Sequence, residues 1–234
     1  MRVLRLLVVV GILSMVTTPL AAQNFEIVGT YGSSYGPYKA WVDPSSFPNP
    51  GVLPGDNRID VFCVDYLHRI YIGEEWNVHY TQVSDEAGIN SQTMWGQYGD
   101  FSWDDEFLPD VFTAQVRYQQ AAWLATQFTM DNTGEWRDIH TAMWHVFNHS
   151  IPTDPWGDSE GWWTAARLAS NYQTVNMDYW HVITPDGQEG VITDNRLGQE
   201  YLTYVTPEPA TIFLMGTGLV AVLGMTFVTR RSLG

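Results

Sequence analysis

The spacing of apolar and polar positions divides the chain into five stretches. Leu6–Met15 and Ala210–Thr229 carry no charged residue. Between them, apolar positions alternate with polar ones, then fall at helical spacing, then alternate again. Alternation predicts strands over Glu26–Tyr31, Arg58–Tyr66 and around Trp76, Val78 and Tyr80. Residues 23–58 are otherwise rich in Gly, Pro, Ser and Tyr, with a turn cluster at Phe47–Gly51, and residues 84–109 read as a polar loop with Trp95, Phe101 and Trp103 tucked in. Helical period begins at Ala114, Tyr118, Ala121, Ala125 and Phe128. It resumes at Ile139, Ala142, Met143, Val146 and Phe147 after the breaker Asp131–Gly134. Trp162, Ala165, Ala166, Ala169 and Tyr172 predict a third helix, capped by Asp158 or Ser159. Strand patterning returns over Asp178–Thr184, Gly190–Thr193 and Gln199–Val205. The expected class is α+β: a β-sandwich-like domain with a helical insert at about 113–174.

The two apolar ends read differently. Arg2 and Arg5 precede Leu6–Met15, and small residues at Ala21–Ala22 follow, the layout of a secretory signal cut after Ala22. Ala210–Thr229 spans about 30 Å as a helix, enough to cross a bilayer. Arg230 and Arg231 follow it and place the C-terminus in the cytoplasm by the positive-inside rule. The expected organisation is a signal helix at 1–22, one extracytoplasmic domain at 23–205, and a tail at 206–234.

Charge removes one function class. All 26 acidic residues lie between Glu26 and Glu208, with only seven basic ones among them, a formal net of −19 for that span. Such a surface repels phosphate backbones and excludes nucleic acid as a partner. Cys63 is the single cysteine, so the exported domain has no internal disulfide and relies on packing. All 11 tryptophans lie in it as well, as core, as sugar-stacking surface, or both.

Pro207-Glu208-Pro209, the glycine-bearing apolar helix and Arg230-Arg231, in that order at the C-terminus, resemble the PEP-CTERM sorting signal. The resemblance implies recognition by an exosortase and cleavage near the motif in a Gram-negative host that makes exopolysaccharide. Two prolines favour an extended, accessible backbone, which suits a protease. The implied route runs through the Sec translocon and signal peptidase to the inner membrane, then to the cell surface or extracellular matrix.

A second resemblance covers part of the domain. Phe62-Cys63-Val64-Asp65, an alanine-tryptophan helix and a helix ending in Ala-x-Trp look like the thioester domains of bacterial surface adhesins. In that family a glutamine acylates the cysteine. Here Ile139-His140-Thr141-Ala142-Met143-Trp144 has histidine at the glutamine position, and a histidine cannot supply the acyl group. Gln119 keeps a Gln-x-Ala-x-Trp spacing on the preceding helix and is the alternative acyl donor. Without a crosslink, Cys63 is a buried thiol.

Other constellations are incomplete. A Cys63–His140 pair could form a thiol–imidazole dyad only if the fold joins them. His145 and His149 share a helix face, but no glutamate stands at 146, so the His-Glu-x-x-His metal motif is absent. Trp103–Glu106 and Asp131–Glu135 are acidic turns without EF-hand spacing. Carboxylates beside Trp103 or Trp156 raise a polysaccharide-active enzyme as a third reading. The leading expectation is a non-enzymatic surface or matrix protein with no cofactor and no metal. An adhesin or carbohydrate-binding module is the second reading, with exopolysaccharide as the candidate partner.

Overall fold

The computed structural model describes residues 23–32, 35–43, 58–66, 71–96, 112–148, 157–187 and 198–205. Among the described residues, six antiparallel strands close into a barrel: β1 (Gln23–Thr30), β2 (Tyr38–Val42), β3 (Arg58–Cys63), β4 (Glu75–Gln82), β5 (Trp180–Pro185) and β6 (Tyr201–Tyr204). Their order is β1-β2-β3-β6-β5-β4. The α+β class stands, and the expected β-sandwich is corrected to this closed barrel. β1 pairs with β2 on one side and with β4 on the other, which joins the two edges a sandwich would leave open.

Strand alternation sends one set of side chains inward. Phe25, Ile27, Ala40, Val42, Ile59, Val61, Cys63, Val78, Ile183 and Tyr201 form the barrel core. On β5 and β6 the outward set is buried too. Val182 and Leu202 belong to a second core shared with the helices, while their neighbours Ile183 and Tyr201 point into the barrel. The helical layer therefore lies on the β5–β6 side.

That layer is inserted between β4 and β5, which pair directly. It comprises α1 (Glu86–Gln92), α2 (Ala114–Ala125), α3 (Trp136–Phe147), α4 (Ser159–Ala166) and α5 (Ala169–Tyr172). The insert expected at about 113–174 is present, and α1 extends it into the segment read as loop. There Asp85 caps the helix, its Oδ1 accepting from the Gly88 amide at 3.0 Å, and Ile89 is buried. Thr113 caps α2 by accepting from Val116 N. The predicted breaker between the first two helices forms a 3-10 turn over Met130–Glu135.

The third predicted helix is two. Leu168 is extended (φ −72°, ψ 122°), and Asn171 Nδ2 donates to the Ala165 carbonyl at 2.8 Å, taking up an acceptor that a continuous helix would use. Asp158 stands at the N-cap of α4 but makes no side-chain cap bond.

β2 lies inside the Gly- and Pro-rich stretch and was not predicted. Its Ala40 and Val42 face the core, while Trp41 is half-buried on the outside. Among the described residues no helix is long and apolar enough to cross a membrane. The signal at 1–22, the motif at 207–209, the apolar run 210–229, Arg230 and Arg231, the strand Gly190–Thr193, Phe101, Trp103, Trp156 and His149 lie outside the described residues.

Candidate functional site

The start of β2, the end of β3 and the start of β6 form one end of the barrel, where Tyr38 pairs with Val61 and Cys63 with Tyr201. Helix α3 covers it. Ile139, Ala142, Met143, Val146 and Phe147 face the helical core as their spacing predicts. The other face carries Trp136, His140 and Trp144 at four-residue intervals. His140 meets the Tyr38 ring edge-on at 6.0 Å and lies 4.4 Å from the Trp144 ring. Trp136 packs tightly on the chain before β2: a Cβ at Gly36 would stand 2.5 Å from its ring, so the position requires glycine.

The fold thus joins two residues that the sequence could only nominate. His140 Nε2 lies 3.0 Å from the Cys63 carbonyl oxygen, and only a protonated Nε2 can donate to it. The contact is to the backbone. The Cys63 thiol itself donates to the Asp65 carbonyl at 3.0 Å. Burial pushes the thiol pKa far up, with the Asp65 carboxylate adding to the rise. Burial pushes His140 down to about 4, opposed in part by the bond to Cys63. Both groups are held neutral at physiological pH, the reverse of a thiolate–imidazolium pair. Gln119 is buried on α2, and no hydrogen bond joins it to Cys63 among the described residues.

Reactivity of Cys63 should follow this burial. Iodoacetamide at neutral pH is expected to leave Cys63 unlabelled in the folded chain and to label it fully in urea. Intact mass reads both, and rapid labelling of the folded form would contradict the buried, neutral thiol.

One strong electrostatic perturbation falls on a carboxylate that strand patterning passed over. Glu200, immediately before β6, is fully buried between barrel and helices. Its Oε2 accepts from Met94 N at 2.7 Å and from Thr184 Oγ1 at 2.8 Å, and its Oε1 accepts from the Tyr118 hydroxyl. Its backbone carbonyl accepts from Val64 N at 3.0 Å. Burial pushes its pKa up to about 7, restrained by the Tyr118, Met94 and Thr184 donors and raised further by Asp65. Asp65 is itself buried, and its carbonyl accepts from Gln199 Nε2 at 3.1 Å. The available signal was a lone carboxylate among the uncharged residues of the predicted strand Gln199–Val205.

The remaining candidates separate. His145 packs edge-on against Trp163 at 4.9 Å. Among the described residues no three His, Cys, Asp or Glu side chains group as a metal site would. The Asp131–Glu135 turn lies at the surface, with Asn132 Oδ1 accepting from Thr129 N.

Set against known proteins, residues 205–231 match the PEP-CTERM protein-sorting motif. That match contains Pro207, Glu208, Pro209, Arg230 and Arg231, and implies an exported precursor with exosortase as its processing partner. No curated protein matches the sequence. Among solved structures, the N-terminal thioester domain of a surface protein from Clostridium perfringens is similar at TM-score 0.40 and 10% identity, over 77% of this chain and 96% of that chain. A likeness that distant transfers no residue and no activity.

Proposed function

We propose that this chain is an exported surface or extracellular-matrix protein, matured by exosortase, whose domain works by binding or spacing and not by enzymatic turnover. The observation that carries the proposal is the sorting motif over 205–231 and its placement. It begins at Val205, the last described residue. β6 closes at Tyr204, and among the described residues the last backbone bond runs from Val205 N to Tyr179 O at 2.7 Å. Cleavage near Pro207–Pro209 therefore removes the apolar tail and leaves every barrel strand intact. The neutral, buried Cys63 and His140 speak against a thiolate–imidazolium pair in this domain.

Replacing Pro207, Glu208 and Pro209 together by alanine should leave full-length chain in the inner-membrane fraction of the host. The unaltered chain should appear at the surface, shortened by the tail. The same outcome is expected when the host's exosortase is deleted. Equal mass and equal distribution in all three strains would overturn the reading.

A further inference from the structure

The barrel end opposite Cys63 carries a second arrangement, on the outer face. Strand register sets Arg58 of β3 opposite Trp41 of β2, Trp41 opposite Glu26 of β1, and Glu26 opposite Glu75 of β4. Four outward side chains on four adjacent strands thus make one row. They line a cleft of about 370 Å³ that continues along β1 to Asn24 and Val28. Trp41 and Glu26 are half-buried, while Arg58 and Glu75 are exposed.

The barrel core does not account for Trp41, Glu26 and Glu75 in this row. The core needs only the inward set, Phe25, Ala40 and Ile59 at this level. Carboxylates directly opposite one another on neighbouring strands cost stability, and Glu26 faces Glu75 in that way. A tryptophan with charged cross-strand neighbours on both sides adds nothing to the barrel core. The chemistry is that of a ligand with a flat C–H face and several hydroxyl groups. An indole face takes the former, carboxylates accept from the latter, and a guanidinium donates to ring and hydroxyl oxygens. The cleft volume lies at the small end of the range for small-molecule sites.

We propose that the Arg58–Trp41–Glu26–Glu75 row is a binding subsite for a neutral hexose unit of a polysaccharide. The proposal rests on the surface or matrix reading above and gives that domain its ligand class. Charge selects neutral sugars over acidic ones: the chain carries a net −15, and two of the four groups in the row are carboxylates. The subsite lies across the barrel from the Cys63–His140 end. Arg58 and Cys63 are the two ends of the six-residue β3, about 17 Å apart by strand rise.

The test uses the full chain in a zwitterionic detergent and isothermal titration with cellohexaose, maltohexaose, mannohexaose and hexagalacturonate. Binding of at least one neutral hexamer is expected, with a weaker or absent response to the galacturonate. Trp41→Ala should weaken it at least tenfold. Glu75→Ala should weaken it several-fold, and Trp41→Phe, which keeps a ring, should retain most of it. Near-UV circular dichroism and urea midpoints check that each variant is folded. The subsite is overturned if no neutral hexamer binds, if Trp41→Ala binds as the parent does, or if the row responds only to calcium or to the galacturonate. A chain that is sorted correctly yet ignores all four oligomers removes the subsite and leaves the sorting proposal standing. A chain that binds but is not processed does the reverse.

Discussion

Phe147→Ala is expected to lower the unfolding free energy by about 3–5 kcal/mol, the range for truncating a buried phenylalanine. Phe147 ends α3 and is 0% exposed. Its ring lies 4.9 Å from Tyr118 on α2 and 5.7 Å from Trp95 beyond α1, so three segments of the helical layer meet on it. The cost depends on how far neighbours can collapse into the space. Tyr118 cannot move freely, because its hydroxyl is bound to Glu200. Trp95 is itself buried. The loss should therefore fall in the upper part of the range, a large share of a typical domain's about 5–15 kcal/mol. Leu168→Ala is the control: that side chain is 52% exposed and should change stability by no more than about 0.5 kcal/mol. Urea unfolding of both variants measures the contrast, and a loss below about 1 kcal/mol for Phe147→Ala would show that the helical core is not organised around that ring.

The Phe147 contact was half legible beforehand. The stripe from Ile139 to Phe147 announced both a helix and its buried face, because spacing within one helix is local information. Nothing in the stripe announced the other face, where Trp136, His140 and Trp144 meet residues nearly 80 to over 100 positions away. Barrel closure was illegible for the same reason. Alternation shows which side of a strand is buried, yet a sandwich and a barrel share that pattern. The choice between them lies in β1 pairing with β4 and in β3 pairing with β6, contacts between distant segments. β2 was hidden by its Gly- and Pro-rich surroundings, and α1 by offering a single buried aliphatic, Ile89. The sorting signal was legible in full because its grammar is linear: a short motif, an apolar run and two arginines. Cys63 could be read as buried from its place in an inward series. That its carbonyl, and not its thiol, receives His140 could not. Glu200 was missed because periodicity weighs apolar positions and ignores a charged one beside them. Its partners Met94, Tyr118 and Thr184 come from three separate segments.

Glu200 also yields a large expected pH effect. In the folded chain its carboxyl is raised from 4.5 to about 7 by burial, so the native state holds a proton that the unfolded chain releases. The stability contributed by that proton is fully present below pH 4.5 and is lost as pH rises through about 7. His140 and His181 act in the opposite sense. Burial lowers each from 6.5 to about 4, so their contribution is present above 6.5 and is lost as pH falls toward 4. The parent profile is thus a sum of opposing slopes, and a comparison is needed to isolate one of them. Glu200→Gln keeps the shape and removes the titration, while both histidines remain in each protein and cancel. The stability of the parent relative to Glu200→Gln should fall by about 3 kcal/mol between pH 4.5 and pH 8, whatever constant offset the amide introduces. Urea midpoints at four pH values across that window measure it, and a pH-independent difference would show that Glu200 titrates normally. The sign has a structural corollary. Tyr118 donates to the carboxylate and holds its pKa down. Tyr118→Phe should therefore move the fall to higher pH, a shift that lost packing alone would not produce.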